Sequence, residues 1–301
     1  MRSLSGLFLL LCFLFCGCAK QHQALSIFFT GDLLLDRGVR LQIEKKDAES
    51  LFNDVAPLFK QADYTVANLE CPVTKIEAPI NKKYIFRGEP EWLNAIKQAG
   101  ITHLILANNH SNDQGRSGMV DTYNNLLDAH LTPVGYGLNQ TAACLPVVLE
   151  KNGIKAAVFS TVTLALENFA YLPDSIGVCQ AQPKQLAAAV ANYKKQHPGE
   201  YIIVVLHWGI EFDKKPAVYQ RIAAHALIDS GADVIIGHHP HVVQTHTTYK
   251  GKHIFYSLGN FVFDQKEPGN EGLMVKLNIE RQGIEVTEIP ILITKCTPTP
   301  K

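Results

Sequence analysis

Apolar and polar positions along this chain follow two alternating periods. Short apolar runs rich in β-branched and aromatic residues, SIFFTGD, DYTVANLE, THLILANNH, EYIIVVLHWG and DVIIGHHPH, predict buried strands. Between them, apolar residues recur three and four apart: Leu51, Phe52, Val55, Leu58 and Phe59 in ESLFNDVAPLFKQA, then PEWLNAIKQAG, closed by Gly100. Met119, Tyr123, Leu126 and Leu127, followed by PKQLAAAVANYKKQ and YQRIAAHALIDSGA, repeat that spacing and predict further helices. PVVLEKNGIKAAVFSTV reads as a hairpin with a type I′ turn at Asn152-Gly153. The C-terminal part is strand-like throughout: HIFYSLGNFVFD, EGLMVKLNIE and, after a Gln282-Gly283 turn, IEVTEIPILI. Early strand–helix alternation implies a mainly parallel sheet, and the late hairpins imply antiparallel strands. The predicted fold is therefore α/β, two mixed sheets packed face to face with helices outside. No low-complexity run or Pro/Gly linker breaks residues 26–294, which read as one domain.

The first residues break the pattern. MRSLSGLFLLLCFLFCGCAK has Arg2, an apolar run from Leu7 to Phe15, and Gly17 before Cys18. This predicts a secretory signal peptide over residues 1–18, too short to span a bilayer comfortably. It is similar to a bacterial lipoprotein signal, in which the Cys after a small residue becomes the lipidated N-terminus. Cys18 is then the lipidation site, and the exported chain is anchored to a membrane of the cell envelope without crossing it. A plain cleaved leader is the alternative.

Composition narrows the rest. The 301 residues are 47% apolar and 19% charged, which is globular material. Lys+Arg and Asp+Glu both number 28, so no global excess of charge recruits nucleic acid. Of seven cysteines, Cys71, Cys144, Cys179 and Cys296 lie beyond the leader. They allow up to two disulfides, with every pairing open, or buried thiols; none has the CxxC spacing of a metal knuckle.

Candidate chemistry sits where apolar strands end. Thr30-Gly31-Asp32, Asn68-Leu69-Glu70, Asn108-Asn109-His110, His207-Trp208-Gly209 and Gly237-His238-His239-Pro240-His241 each follow such a run. In an α/β sheet the carboxyl ends of parallel strands line one edge, so these tips converge. Carboxylate, amide and imidazole without thiol is a donor set for Zn, Mn or Fe. Each tip alone also has an ordinary reading, Asp32 as a turn cap or His207 as a packed ring beside Trp208. Five together point to a site. His103, His130, His197, His225 and His253 follow no strand end and are read as ordinary.

FTGDLLLDR, NLECPVT, YIFRGEPEWL, LANNHSNDQGRSGMVDT, LHWGIEF, IIGHHPHVVQ and YSLGNFVFDQ, in that order, resemble the motif series of the CapA family, the poly-γ-glutamate capsule biosynthesis proteins. The resemblance implies a calcineurin-like metallophosphoesterase fold, a four-layer αββα sandwich whose strand ends hold two divalent ions. It implies Asp32 as the first carboxylate ligand and Glu70 in place of a bridging Asp. Asn109, His207, His239 and His241 would be further ligands, and His110 an acid or transition-state stabiliser. His238, on the opposite face of its loop, stays out. Two departures stand out: the Asp-x-His pair is missing, with Asp36 as a candidate replacement, and Glu70 lengthens the bridging arm. Both bear on the roughly 3.5–4 Å spacing of a two-metal displacement. Arg37 and Arg87 are candidates to hold a substrate carboxylate or phosphate, or else surface ion pairs. Glu211, Gln244 and Asn260 are candidates to orient metal-bound histidines.

Two functions fit these residues. One is an exported metal-dependent hydrolase of a phosphoester or γ-glutamyl amide, with His110 protonating the leaving group. The other is a non-enzymatic, membrane-anchored module that binds poly-γ-glutamate or its synthase. A metal-free scaffold is a third reading. The expected partners are the anionic polymer or its synthase, and a membrane, without nucleic acid.

Overall fold

The computed structural model describes residues 24–301; the leader and Cys18 lie outside the described residues. Leu25–Leu33 is buried along almost its whole length and forms the spine of the first sheet. Tyr64–Leu69, His103–Ile105 and Thr132–Val134 follow on one side, all parallel. On the other side Glu271–Glu280, Gly283–Thr294 and Thr297–Pro300 run antiparallel to one another. The second sheet has a parallel centre of Ile154–Val162, Tyr201–His207, Val234–His238 and Lys252–Phe255. Antiparallel Val147–Lys151 and His246–Tyr249 close its two edges.

The period-two alternation sorts each strand between two cores. Ile203 and Val205 face the first sheet, whereas Ile202, Val204 and Leu206 face the helices Pro183–Gln196 and Val218–Asp229 through Leu186, Val190, Ala224 and Leu227. Across the molecule, Phe28 meets Phe59 edge-on at 5.5 Å, and Phe261 packs on Phe52 and Phe59. Helices therefore cover both outer faces of the paired sheets, which is the αββα sandwich. Burying one such aliphatic or aromatic side chain contributes about 1.5–3 kcal/mol.

Four local expectations change. The stretch expected as one helix is split into a 3-10 turn, Glu49–Phe52, and a short helix, Ala56–Phe59. Pro57 has no N–H to give the Asn53 carbonyl, and its ring crowds that carbonyl. HIFYSLGNFVFD is two strands in different sheets: Lys252–Phe255 belongs to the second and Asn260–Val262 to the first. The late hairpin turns at Arg281-Gln282, because Gly283 already pairs with Glu280. The edge strand Thr297–Pro300 lies beyond the last expected element; its prolines suit a position with only one pairing side.

The crossing between sheets positions the site. A Cβ on Gly31 would lie 2.1 Å from the Gly259 carbonyl oxygen, so only glycine lets these backbones meet. The Asp32 N–H then donates to that carbonyl at 3.0 Å, and Asn260 falls in register with Asp32. Cys144 and Cys179 form a disulfide beside the small pair Tyr136–Gly137 and Gly177–Val178; Cys71 and Cys296 are buried free thiols. Among the described residues no helix is long and apolar enough to cross a membrane.

Candidate metal centre

Five strands bring their polar tips to one place, because both sheets present the carboxyl ends of parallel strands at the same edge. Donor atoms of Asp32, Glu70 and His241 form one group within 4.8 Å of one another. Those of Glu70, His207 and His239 form a second, so Glu70 belongs to both. His207 Nε2 lies 3.8 Å from Glu70 Oε1, and His241 Nε2 lies 3.7 Å from the same oxygen. Asn109 Oδ1 is 2.8 Å from His207 Nε2, which brings the amide to the second group.

The loop Gly237 to His241 divides its imidazoles. His238 turns inward, its Nε2 2.9 Å from the Thr30 carbonyl, away from the donor cluster. His239 (φ 99°) and His241 (φ 57°) both have left-handed backbone on either side of Pro240. Such conformations cost about 1–3 kcal/mol each and persist where surrounding structure imposes them. Here the imposition comes from Asp32 Oδ2, which accepts the His239 N–H at 3.3 Å, and from Asn260 Oδ1, 2.9 Å from His241 Nδ1.

Burial sets the electrostatics. Asp32 and Glu70 are fully buried, and neither Glu70 oxygen has a hydrogen-bond partner among the described residues. Burial, then the neighbouring Asp32 charge, pushes the Glu70 carboxyl well above the usual carboxylate range. Burial also acts to raise Asp32, but His241, His238 and Asn68 outweigh it and hold it below its ordinary value. Desolvation, reinforced by His241, brings His239 down to about 3, and desolvation with His239 keeps His207 neutral. Burial opposes charge on His241 too, yet the Glu70 and Asp32 carboxylates prevail and raise it to about 9. Buried carboxylates beside the neutral rings of His207 and His239, with unpartnered Glu70 oxygens and an unpartnered His239 Nδ1, are the donor set a divalent ion satisfies.

His110 stands beside this cluster with a support the sequence did not reveal. Its Nδ1 is 2.7 Å from Asp113 Oδ2, and Lys82 Nζ donates to Asp113 Oδ1 at 2.9 Å. Phe86 stacks on the ring at 4.2 Å. Burial lowers the His110 pKa against the opposing pull of Asp113. Asp113 follows His110 by three residues in NHSND, a spacing that signals a contact; Lys82 carries no such signal. Asn68 is a second missed residue: it donates to Asp32 Oδ1 at 2.8 Å and is itself held by Asn108 at 3.1 Å.

The remaining candidates separate. Asn260 bonds His241, as expected of an orienting residue. Gln244 makes no hydrogen bond to a histidine among the described residues: its amide meets Gln220 at 3.2 Å and the Asp213 carbonyl at 2.7 Å. Glu211 bonds no histidine among the described residues either and stands in the wall of the cavity above the site, together with Arg37. Arg87 is absent from that wall, because its guanidinium is engaged by the Thr74 carbonyl, Glu77 and Glu89. Asp36 does not replace the missing histidine: its oxygens accept the Arg37 and Arg87 N–H groups at 2.8 Å and Arg40 Nε at 3.2 Å.

Comparison with known proteins bears on this geometry. The chain is 35% identical over 285 residues to the PGA biosynthesis protein CapA of Bacillus subtilis (strain 168), covering 93% of this chain and 74% of that protein. It is 32% identical over 289 residues to the capsule biosynthesis protein CapA of Bacillus anthracis, covering 93% and 70%. Solved structures with the same fold include the NAD nucleotidase NadN of Haemophilus influenzae, at TM-score 0.55 and 13% identity, covering 89% of this chain and 56% of that one. A 5'-nucleotidase precursor from Thermus thermophilus gives TM-score 0.51 and 14% identity, covering 91% and 56%. The fold is that of the calcineurin-like metallophosphoesterases. Residues 26–265 match the bacterial capsule synthesis protein PGA_cap, and with these relatives the chain belongs to that family.

Proposed function

We propose that this chain is a metal-dependent hydrolase of the cell envelope that acts in poly-γ-glutamate capsule biosynthesis, on a phosphoester or γ-glutamyl amide. The observation that carries the reading is Glu70, a buried carboxylate with two unpartnered oxygens shared by two donor groups. Leaving such a group unpaired is costly, and bound cations offset that cost. Asp32, Glu70 and His241 would hold one ion; Glu70, Asn109, His207 and His239 would hold the other, with Zn, Mn or Fe suited to these donors. Ions held there supply Lewis acidity and a water acidic enough to attack near neutral pH.

The chain's own residues do the rest. Asn260 takes the Nδ1 side of His241 and leaves Nε2 toward Glu70. Asp113 engages His110 Nδ1, so Nε2 is the nitrogen that serves the leaving group, and the carboxylate stabilises the charged ring that proton donation requires. Phe86 shields one face of that ring from water. The names of the two Bacillus relatives support the capsule setting. The disulfide supports export, since such bonds persist in oxidising compartments; a lipidated Cys18 then tethers the chain to a membrane, near the polymer or its synthase.

Elemental analysis of the full chain, followed by assays on phosphoesters and γ-glutamyl amides, tests this. About two equivalents of transition metal are expected, lost in Glu70→Ala together with turnover. A metal-loaded protein that binds the polymer without cleaving any of these substrates would instead establish the accessory, non-enzymatic role.

A further inference from the structure

The cavity over the centre encloses about 380 Å³ between Tyr84, Phe86, Phe212 and Phe263, with His110 and His241 also in its lining. Among the described residues that line it, Arg37 is the one fixed cation and Glu211 the one carboxylate.

Both are held by strained backbone. Arg37 has φ 55° at the start of the helix Gly38–Lys45. Asp264 accepts from its Nε at 3.0 Å and from Nη2, and also takes the Gly38 N–H at 3.0 Å. The guanidinium carbon lies 5.4 Å from the Phe86 ring centre and 5.8 Å from that of Phe263, both cavity walls. Asp264 occupies one edge of the planar fork, and Nη1 takes no part in that pair. On the other side, Phe212 follows Glu211 with φ 63°, and its N–H donates to the Pro240 carbonyl at 2.8 Å. Gln244 ties the same loop through the Asp213 and Lys215 carbonyls at 2.7 and 3.3 Å. Glu211 is thus fixed relative to the histidine loop, yet its carboxylate has no hydrogen-bond or ion-pair partner among the described residues. Its charge acts against ionisation of Glu70. Glu211 is solvent-exposed at the wall of the cavity, so its carboxylate is open to a cationic group that enters there.

We infer that the cavity takes the free amino end of a γ-linked glutamyl chain, with Arg37 on the α-carboxylate and Glu211 on the α-ammonium. The inference rests on the hydrolase reading above and selects the amide over the phosphoester. In such a chain only the amino-terminal residue carries both charges on one carbon. Internal residues have their nitrogen in the amide and present a carboxylate alone, and the far end presents two carboxylates. The aromatic walls suit the methylenes between the charged carbon and the γ-carbonyl. Hydrolysis adds one water: the C–N bond breaks, and the carbonyl carbon gains the water oxygen as a carboxylate. Both water protons finish on the leaving nitrogen, which departs as an ammonium, one of them by way of His110 Nε2. The products are free glutamate and a chain one residue shorter, whose new end carries the same pair of charges.

The test uses the metal-loaded full chain with short γ-linked glutamyl oligomers whose amino end is free or N-acetylated. Amino-acid analysis follows released glutamate, and calorimetry follows binding. The free-amine oligomer is expected to lose single residues, with the acetylated one at least about tenfold lower in kcat/KM, the scale of one charge-assisted contact. Glu211→Gln should raise KM for the free-amine oligomer and erase the discrimination while metal content stays constant. Equal rates on both oligomers, or release of internal fragments, would overturn the inference and leave the hydrolase standing. Metal loss in Glu211→Gln would also overturn it, by making Glu211 a ligand. If neither oligomer is cleaved, the hydrolase reading fails and calorimetry decides: a free-amine preference that Glu211→Gln abolishes upholds the two-charge site, and equal binding ends it.

Discussion

The Asn260 amide chooses which nitrogen His241 presents. Its Oδ1 lies 2.9 Å from Nδ1, and its Nδ2 is in turn held by Gln265 and the Gly269 carbonyl at 2.8 Å each, so the choice is fixed from behind. Partners of this kind are worth about 10–100-fold in metal affinity, so Asn260→Ala should weaken metal binding by that factor in a competition titration. Gln244→Ala, whose amide ends on loop carbonyls and Gln220, should leave metal affinity near wild type. Lys82 and Asp113 make a pair with 2% and 0% side-chain exposure. Asp113→Asn strands the buried Lys82 charge, and a loss of about 3–5 kcal/mol is expected by urea denaturation. The residue types at the strand tips were legible in the sequence because each follows an apolar run. The pairing of Lys82 with Asp113, and the turning of Arg87 away from the cavity, were not, since both depend on where a flexible side chain ends after folding.

At the level of elements, two glycines do different work. Asn152 (φ 54°) and Gly153 (φ 75°) make the expected primed turn, and a Cβ at Gly153 would meet nothing within 4 Å. Gly153→Ala therefore suffers only the backbone penalty, about 1 kcal/mol. Gly31→Ala drives a methyl into the Gly259 carbonyl and separates strands of the site, so a much larger loss of Tm is expected, with metal binding gone. Thermal denaturation of the two variants side by side checks the contrast. The helices Gly115–Asp128, Pro183–Gln196 and Val218–Asp229 were readable because their apolar residues keep helical spacing without interruption. ESLFNDVAPLFKQA kept the spacing but not the helix, because one proline outweighs a periodic pattern.

For the molecule as a whole, the disulfide closes a loop of 35 residues between Cys144 and Cys179. Loop-closure entropy puts its contribution at about 4 kcal/mol, so reduction should lower Tm by several degrees without displacing metal. Loss of metal on reduction would mean that the disulfide segment supports the centre directly. By itself the sequence determined the periods of burial, hence two mixed sheets with helices outside, and the kinds of donor atoms at the strand ends. These are local properties: a side chain's period and its neighbours along the chain decide them. Only the tertiary structure decided that HIFYSLGNFVFD divides between the sheets, that Asn260 arrives opposite Asp32, and that Glu70 joins two groups. It also decided that Cys144 and not Cys71 or Cys296 pairs with Cys179. Each of these joins residues far apart in the chain, and distance in space is set by packing rather than by spacing in sequence.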